Sequence, residues 1–251
     1  EALAARLGWR DATLVFALFE LATLPLHLLI PKIADAATAA ARPTTGTAAA
    51  LPPPLADTPA ASRRAAILFG VVAVSTSVLA SALAAHLIPL LVGLGLALPA
   101  AVAVSSLRGV GQSAARFAEF ATGSRFHPLD LCLFACALLP VSLALAPLAG
   151  VSQAAAIAFS VGGGCGNGLV TIARGAVPLV LFDPRAYGAI TGRIGAPAFW
   201  FSALAPFVTA LAIDHGGAPL TLGLLAVPAV AAVALRRGFP PARAAGRTPG
   251  T

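Results

Sequence analysis

Residues 160–170 read SVGGGCGNGLV, with five glycines between Gly162 and Gly168. Such a run serves either to cradle a phosphate or to let two helices press together, and the two uses imply different folds. A dinucleotide fingerprint needs G-x-G-x-x-G directly after a strand, with an acidic residue about 20 positions on. Gly162, Gly163, Gly164, Gly166 and Gly168 do not take that spacing, and no Gly-Lys-Ser/Thr follows to make a Walker loop. What fits is small-xxx-small spacing, twice over: Gly162 with Gly166, and Gly164 with Gly168. Each pair strips side chains from one helical face, so that a neighbouring backbone can approach closely. The four read as helix-packing residues.

The rest of the chain supplies the apolar setting that this reading requires. Of 251 residues 59% are hydrophobic and 10% charged, where a soluble domain carries about 25% charge; the mean hydropathy is +0.91. Lipid is the solvent for most of such a chain. The formal charge of +7, from sixteen basic and nine acidic residues, is spread one or two residues at a time between apolar segments. No basic stripe exists to track nucleic acid, so that partner is excluded. Cys132 and Cys136 share a helix face, but LDLCLFACALLP offers no further metal ligand, and with Cys165 they read as small buried hydrophobes. Neither a metal nor a cofactor is expected.

A bilayer crossing takes about 20 apolar residues. Stretches at 11–31, 65–89, 99–121, 128–148, 153–177 and 187–213 qualify, and a shorter one at 220–235 makes a seventh. The expected fold is therefore all-α, a polytopic membrane helix bundle. Between the first two spans, residues 32–64 include RPTTGTAAALPPPLADTP, rich in Ala, Pro and Thr without an apolar period, which reads as a flexible linker. The expected organisation is one helix over 1–31, the linker, six spans over 65–237 and a tail over 238–251. The chain holds no methionine and starts just before an apolar segment, so it reads as part of a longer protein.

Orientation follows the basic residues near helix ends. The linker carries Lys32, Arg42, Arg63 and Arg64, the next connections on that side Arg116 and Arg125, then Arg174 and Arg185, and the tail Arg236, Arg237, Arg243 and Arg247. The opposite connections, VGLGLAL, LAGVSQ and DHGGAP, carry none; only Arg6 and Arg10 dissent. The linker and C-terminus are expected on the cytoplasmic side. Few lysines with abundant Ala and Arg suit a bacterial inner membrane protein from a GC-rich genome.

GWR at 8–10 before a helix ending in Pro, a long linker and six further helices together resemble the major facilitator superfamily, specifically its helix six, central loop and helices seven to twelve. GNGLVTIARGAVPLVLF at 166–182 and YGAITGRIGAPAFWFSALAPF at 187–207 are similar to the helix ten and eleven region of bacterial members. The resemblance implies two six-helix bundles with the substrate between them, moved by alternating access. It also implies a partner, the N-terminal bundle of the same protein, which this stretch of sequence lacks. The family's G-x-x-x-D-R-x-G-R-R signature is degenerate here: in AARFAEFATGSRF, Ala115 takes the Gly place and Glu119 the Asp place. Phe120 replaces the first Arg, and Arg125 is one position out of register. A gate of Arg116, Glu119 and Arg125 is what the resemblance implies; the alternative is solvated charges at a helix end.

An ionisable residue at membrane depth costs roughly 2.5–3.5 kcal/mol on insertion scales, so each is a candidate for function. Arg108 lies deep in the third span, with Ser105 and Ser106 beside it and Gln112 one turn on. It either faces a transport cavity or pairs between helices, with a carbonyl or with Glu20. Arg174 and Arg193 lie closer to the interface and are able to snorkel. In the resembled family helices seven and ten line the cavity, which marks Ser77, Ser81, Asn167 and Thr171 as lining residues. Glu20 and His27 share a face of the first span. Arg108, Arg174 and Arg193 outnumber Glu20 and Glu119 within the spans, and arginine holds a carboxylate bidentately.

The expected function is a secondary transporter, symporter or antiporter, of a small solute, with an organic anion as the favoured class and proton coupling left open. Efflux of lipophilic compounds is the alternative, and a membrane scaffold without transport is another. An intramembrane enzyme is not expected, because the four histidines fall on separate segments and the acids are isolated.

Overall fold

The protein is described by a computed structural model covering residues 2–27, 54–122 and 125–234. Of these, 90% are helical and none lies in a strand. The chain divides into two compact units, 1–52 and 53–251. In the first, α1 (Ala2–His27) bends at Gly8, whose φ of 80° breaks the helix. The large apolar side chains between Leu14 and Leu24 are exposed, as suits a helix solvated by lipid or by other helices. The expected end of this span, 28–31, falls outside the described residues, as do the linker from 32 to 53 and the tail.

The second unit contains α2 (Pro59–Gly93), α3 (Leu98–Ala121), α4 (Pro128–Ala144), α5 (Gln153–Leu181) and α6 (Tyr187–Ala234), with short 3₁₀ turns at Ala146–Leu148 and Pro184–Ala186. Local chemistry sets the helix starts. Thr58, His127 and Ser152 each accept a backbone N–H of the first turn, from Ala61, Leu129 and Ala155. Proline opens α2 and α4, where its missing N–H costs nothing. The linker expected over 32–64 therefore ends early. Leu55 and Ala56 bond through their N–H groups to the Val180 and Leu181 carbonyls at 3.0 and 3.2 Å, and helix begins at Pro59.

Within the second unit, consecutive helices alternate in direction. Along α3 and α5 the contacts rise together, from Arg108 with Gly164 to Gln112 with Gly168 and Arg116 with Thr171, so these two run parallel. Contacts of α4 with α5 run the opposite way, from Ser142 with Gly162 to Ala135 with Gly166. α2 runs parallel to the first part of α6, with Ser81 at Ser202 and His86 at Pro206. A 48-residue helix such as α6 would be about 72 Å long at 1.5 Å per residue, more than twice the hydrocarbon thickness of a bilayer. It is not continuous: Gly217 takes φ 63° and ψ −159°, and the two segments on either side correspond to the sixth and seventh spans.

Four described helices are long and apolar enough to cross a membrane: Pro59–Gly93, Pro128–Leu148, Gln153–Leu181 and Tyr187–Val233. The last holds two of the expected spans. α3 falls short because Ser105, Ser106, Arg108, Gln112, Ser113 and Arg116 interrupt it, and the first expected span, 11–31, lies partly outside the described residues. Packing follows membrane rather than aqueous logic. On α6, Ala198, Ala205, Thr209 and Ala212 are buried, while Phe199, Trp200, Leu204 and Phe207 point outward. Small residues inside permit close helix approach, and large apolar ones suit the lipid side.

Candidate functional site

The glycine-rich turns of α5 present two different faces to two different helices. Gly164 and Gly168 abut α3. A methyl group added at Gly168 would lie 2.6 Å from the Gln112 carbonyl oxygen, and one at Gly164 would overlap that of Arg108. Gly162 and Gly166 abut α4, where added methyls would lie 3.1 Å from Ser142 Cβ and 2.9 Å from Leu139 Cδ2. Each small-xxx-small pair thus has its own neighbour. α3 answers with Gly111, where a methyl would come within 2.5 Å of the Val161 carbonyl oxygen.

This close approach carries a polar ladder. Gln112 Oε1 accepts from Asn167 Nδ2 at 3.0 Å. One turn on, Arg116 Nη2 donates to Thr171 Oγ1 at 3.1 Å, and Thr171 donates in turn to the Asn167 carbonyl at 2.9 Å. Cys165 Sγ–H points to the Gly111 carbonyl at 3.3 Å. Gln112, Asn167 and Thr171 are therefore brought together, joined by Arg116.

Arg174 faces the other way, into α2. Its Nη2 donates to the Ala73 carbonyl at 2.8 Å and to Thr76 Oγ1 and Ser77 Oγ, both at 2.7 Å. Thr76 and Ser77 are buried. Ser81, one turn from Ser77, goes to a third partner, donating to the Ser202 carbonyl on α6 at 2.8 Å. The two serines share a sequence spacing but not a neighbour. Arg193 is exposed, and Glu20 is exposed on α1 in the other unit.

Arg108 is half-buried, and its Nη1 is buried with no hydrogen-bond partner. The atom sits against Gly163, where a methyl would lie 3.2 Å from Nη1 and 3.5 Å from Ser142 Oγ. Three residues back along α5, Ser160 is 1% exposed, and its Oγ also lacks a partner. A third orphan is Arg174 Nε. Each such group forfeits about 1–3 kcal/mol relative to a satisfied one; Arg108 lies on α3 against Gly163, and Ser160 and Arg174 lie on α5, with Arg174 turned to α2. α2 and α5 carry no Asp or Glu to neutralise the arginines. The arrangement holds unspent donors for an acceptor, and for a negatively charged one best.

Ser142, Ser160 and Gly111 escaped the sequence reading. Ser160 opens the glycine stretch itself, and its i, i+3 relation to Gly163 was a usable signal; nothing local marks Ser142. The other candidates lie at the far end of α3. Glu119, with Asp130 of α4, borders a cavity of about 570 Å³ between α3, α4 and α5. Arg125 is exposed on the connection. Arg116 is exposed and turned to Thr171, so Arg116, Glu119 and Arg125 take three separate surroundings. Among the described residues no three His, Cys, Asp or Glu side chains are grouped to hold a metal ion. No family model, no curated protein and no solved structure matches this chain.

Proposed function

We propose that this chain supplies one helical bundle of a secondary transporter of the major facilitator type, carrying a small organic anion by alternating access. The observation that carries the reading is the set of buried, unpartnered donors on Arg108 and Ser160, with a second arginine, Arg174, on the same helix as Ser160. Two cations in an apolar bundle without carboxylate partners on α2 or α5 are costly to maintain, and a transported anion that visits them explains why they are kept. In this reading a second helical bundle closes the other wall of the cavity, and the protein lies in a cell membrane with its basic connections on the cytoplasmic side. Gln112, Asn167 and Thr171 form the polar wall next to Arg108. Arg174, tied to Thr76 and Ser77, couples α5 to α2, so movement of either helix reaches the site.

Substituted cysteines test it. With Cys132, Cys136 and Cys165 replaced by alanine, Thr171→Cys and Gln112→Cys are exposed to a charged, membrane-impermeant thiol reagent in lipid nanodiscs. A transport cavity predicts that both react and that a bound carboxylate slows them, while Phe199→Cys on the outer face of α6 stays unreactive. Failure of both to react would place the ladder against lipid or protein and remove the transport reading.

A further inference from the structure

The cavity beside Glu119 has a chemistry that the anion reading does not use. Its walls are Ala115 and Ala118 of α3, Leu131, Phe134 and Leu138 of α4, and Leu169 of α5, with Phe126 of the α3–α4 connection at the rim. Leu131 and Leu169 are buried and form the floor, whereas Phe126 and Phe134 are well exposed. Glu119 and Asp130 stand at the edge of this almost wholly apolar space, and among the described residues no Lys or Arg lines it. The nearest basic residues along the chain are directed elsewhere: Arg116 donates to Thr171, and Arg125 is exposed outside the lining. Neither carboxylate has an ion-pair partner among the described residues.

The local backbone acts on the two carboxylates differently: Asp130 lies in the first turn of α4, whose free N–H groups favour a carboxylate. Glu119 and Thr122 sit at the C-terminal end of α3, where the unsatisfied carbonyls of a helix carry partial negative charge and favour a cation. The volume, about 570 Å³, lies in the range of small-molecule sites, roughly 300–1,000 Å³. A bare acyl chain would fill the apolar walls but leave both carboxylates unneutralised. A metal ion would satisfy the carboxylates but not the walls.

From this combination we propose that the α3–α4–α5 cavity binds amphipathic amines, with the apolar body between Phe126 and Phe134 and the ammonium between Glu119 and Asp130. Aromatic faces at the rim also attract a cation. The site is separate from Arg108 and does not depend on transport of an anion.

The test uses diphenylpropylamine and its neutral match, diphenylpropanol, titrated into the protein in nanodiscs of zwitterionic lipid. The amine is expected to bind at least tenfold more tightly than the alcohol. Glu119→Gln with Asp130→Asn should bring the amine to the level of the alcohol and leave alcohol binding unchanged. Leu138→Trp, which fills the space, should abolish binding of both; circular dichroism of each variant checks that it remains helical. Equal binding of amine and alcohol to the wild type would overturn the proposal and make the cavity an acyl-chain groove. Amine binding that survives both carboxylate changes, or no binding of either probe, would overturn it as well.

Discussion

Replacing Gly168 by alanine tests whether the glycines of α5 are there for close packing. The added methyl would stand 2.6 Å from the Gln112 carbonyl oxygen and 3.2 Å from Gln112 Cα. Backbone atoms cannot swing aside as a side chain does, so α3 and α5 must separate by about 0.8 Å to restore an ordinary contact at 3.4 Å. That movement stretches the Asn167–Gln112 bond from 3.0 Å to about 3.8 Å, beyond useful range. The Arg116–Thr171 bond, at 3.1 Å, lengthens similarly. Overpacking costs about 1–3 kcal/mol, and the two interhelical bonds add about 0.6 kcal/mol each in a membrane setting. Gly175→Ala is the matched control, about two turns further along α5, where nothing lies within 4 Å of the added methyl. It should be neutral or stabilising by up to about 1 kcal/mol, since alanine is the better helix former. The two variants should therefore differ by roughly 2–4 kcal/mol, or about 4–16 °C in Tm for a chain of this size. Thermal unfolding in detergent, followed by circular dichroism, reads the difference. Equal Tm for the two variants would refute the packing argument.

Gly163→Ala places a methyl 3.2 Å from Arg108 Nη1 and 3.5 Å from Ser142 Oγ; it should change stability by less than about 1 kcal/mol, because a flexible side chain is able to yield, yet weaken carboxylate binding measurably by titration. Thr76→Val with Ser77→Ala removes two of the three acceptors of Arg174 Nη2 and should lower stability by about 1–3 kcal/mol, whereas Ser81→Ala, which breaks one bond to α6, should cost only about 0.6 kcal/mol; unfolding in detergent compares them. Gly217→Ala forces a side chain onto φ 63°, ψ −159°, a region only glycine adopts freely, and should cost about 1–3 kcal/mol, seen as a lower Tm with unchanged helix content.

How much of this was legible depends on the range of the interaction. The apolar spans and the helix packing of the glycines are local properties of composition and spacing, and they can be read without knowing any neighbour. The break at Gly217 was legible too, because DHGGAP places two glycines and a proline between apolar stretches. Which partner each glycine pair meets was not. Positions 162 and 166 differ from 164 and 168 by about 200° around a helix, which says that two faces exist but not that one meets α4 and the other α3. Ser77 and Ser81 are offset by about 40° on the same reckoning, enough for one to reach Arg174 of α5 and the other a carbonyl of α6. The orphan hydroxyl of Ser160 depends on what fails to come near it, and sequence spacing holds no record of that. The early start of α2 was readable in principle, since Thr58-Pro59 is a cap followed by a first-turn proline; the run of Pro and Ala before it masked the signal.

The central claim is that Arg108 holds an anion. The most direct measurement is a carboxylate-dependent thermal shift of the purified protein, made on the wild type and on Arg108→Ala, with diphenylpropylamine as a cation control. The account predicts that at least one small carboxylate raises Tm, that Arg108→Ala abolishes this rise, and that any effect of the amine survives the substitution. A carboxylate shift that persists in Arg108→Ala, or no shift with any carboxylate, would contradict it.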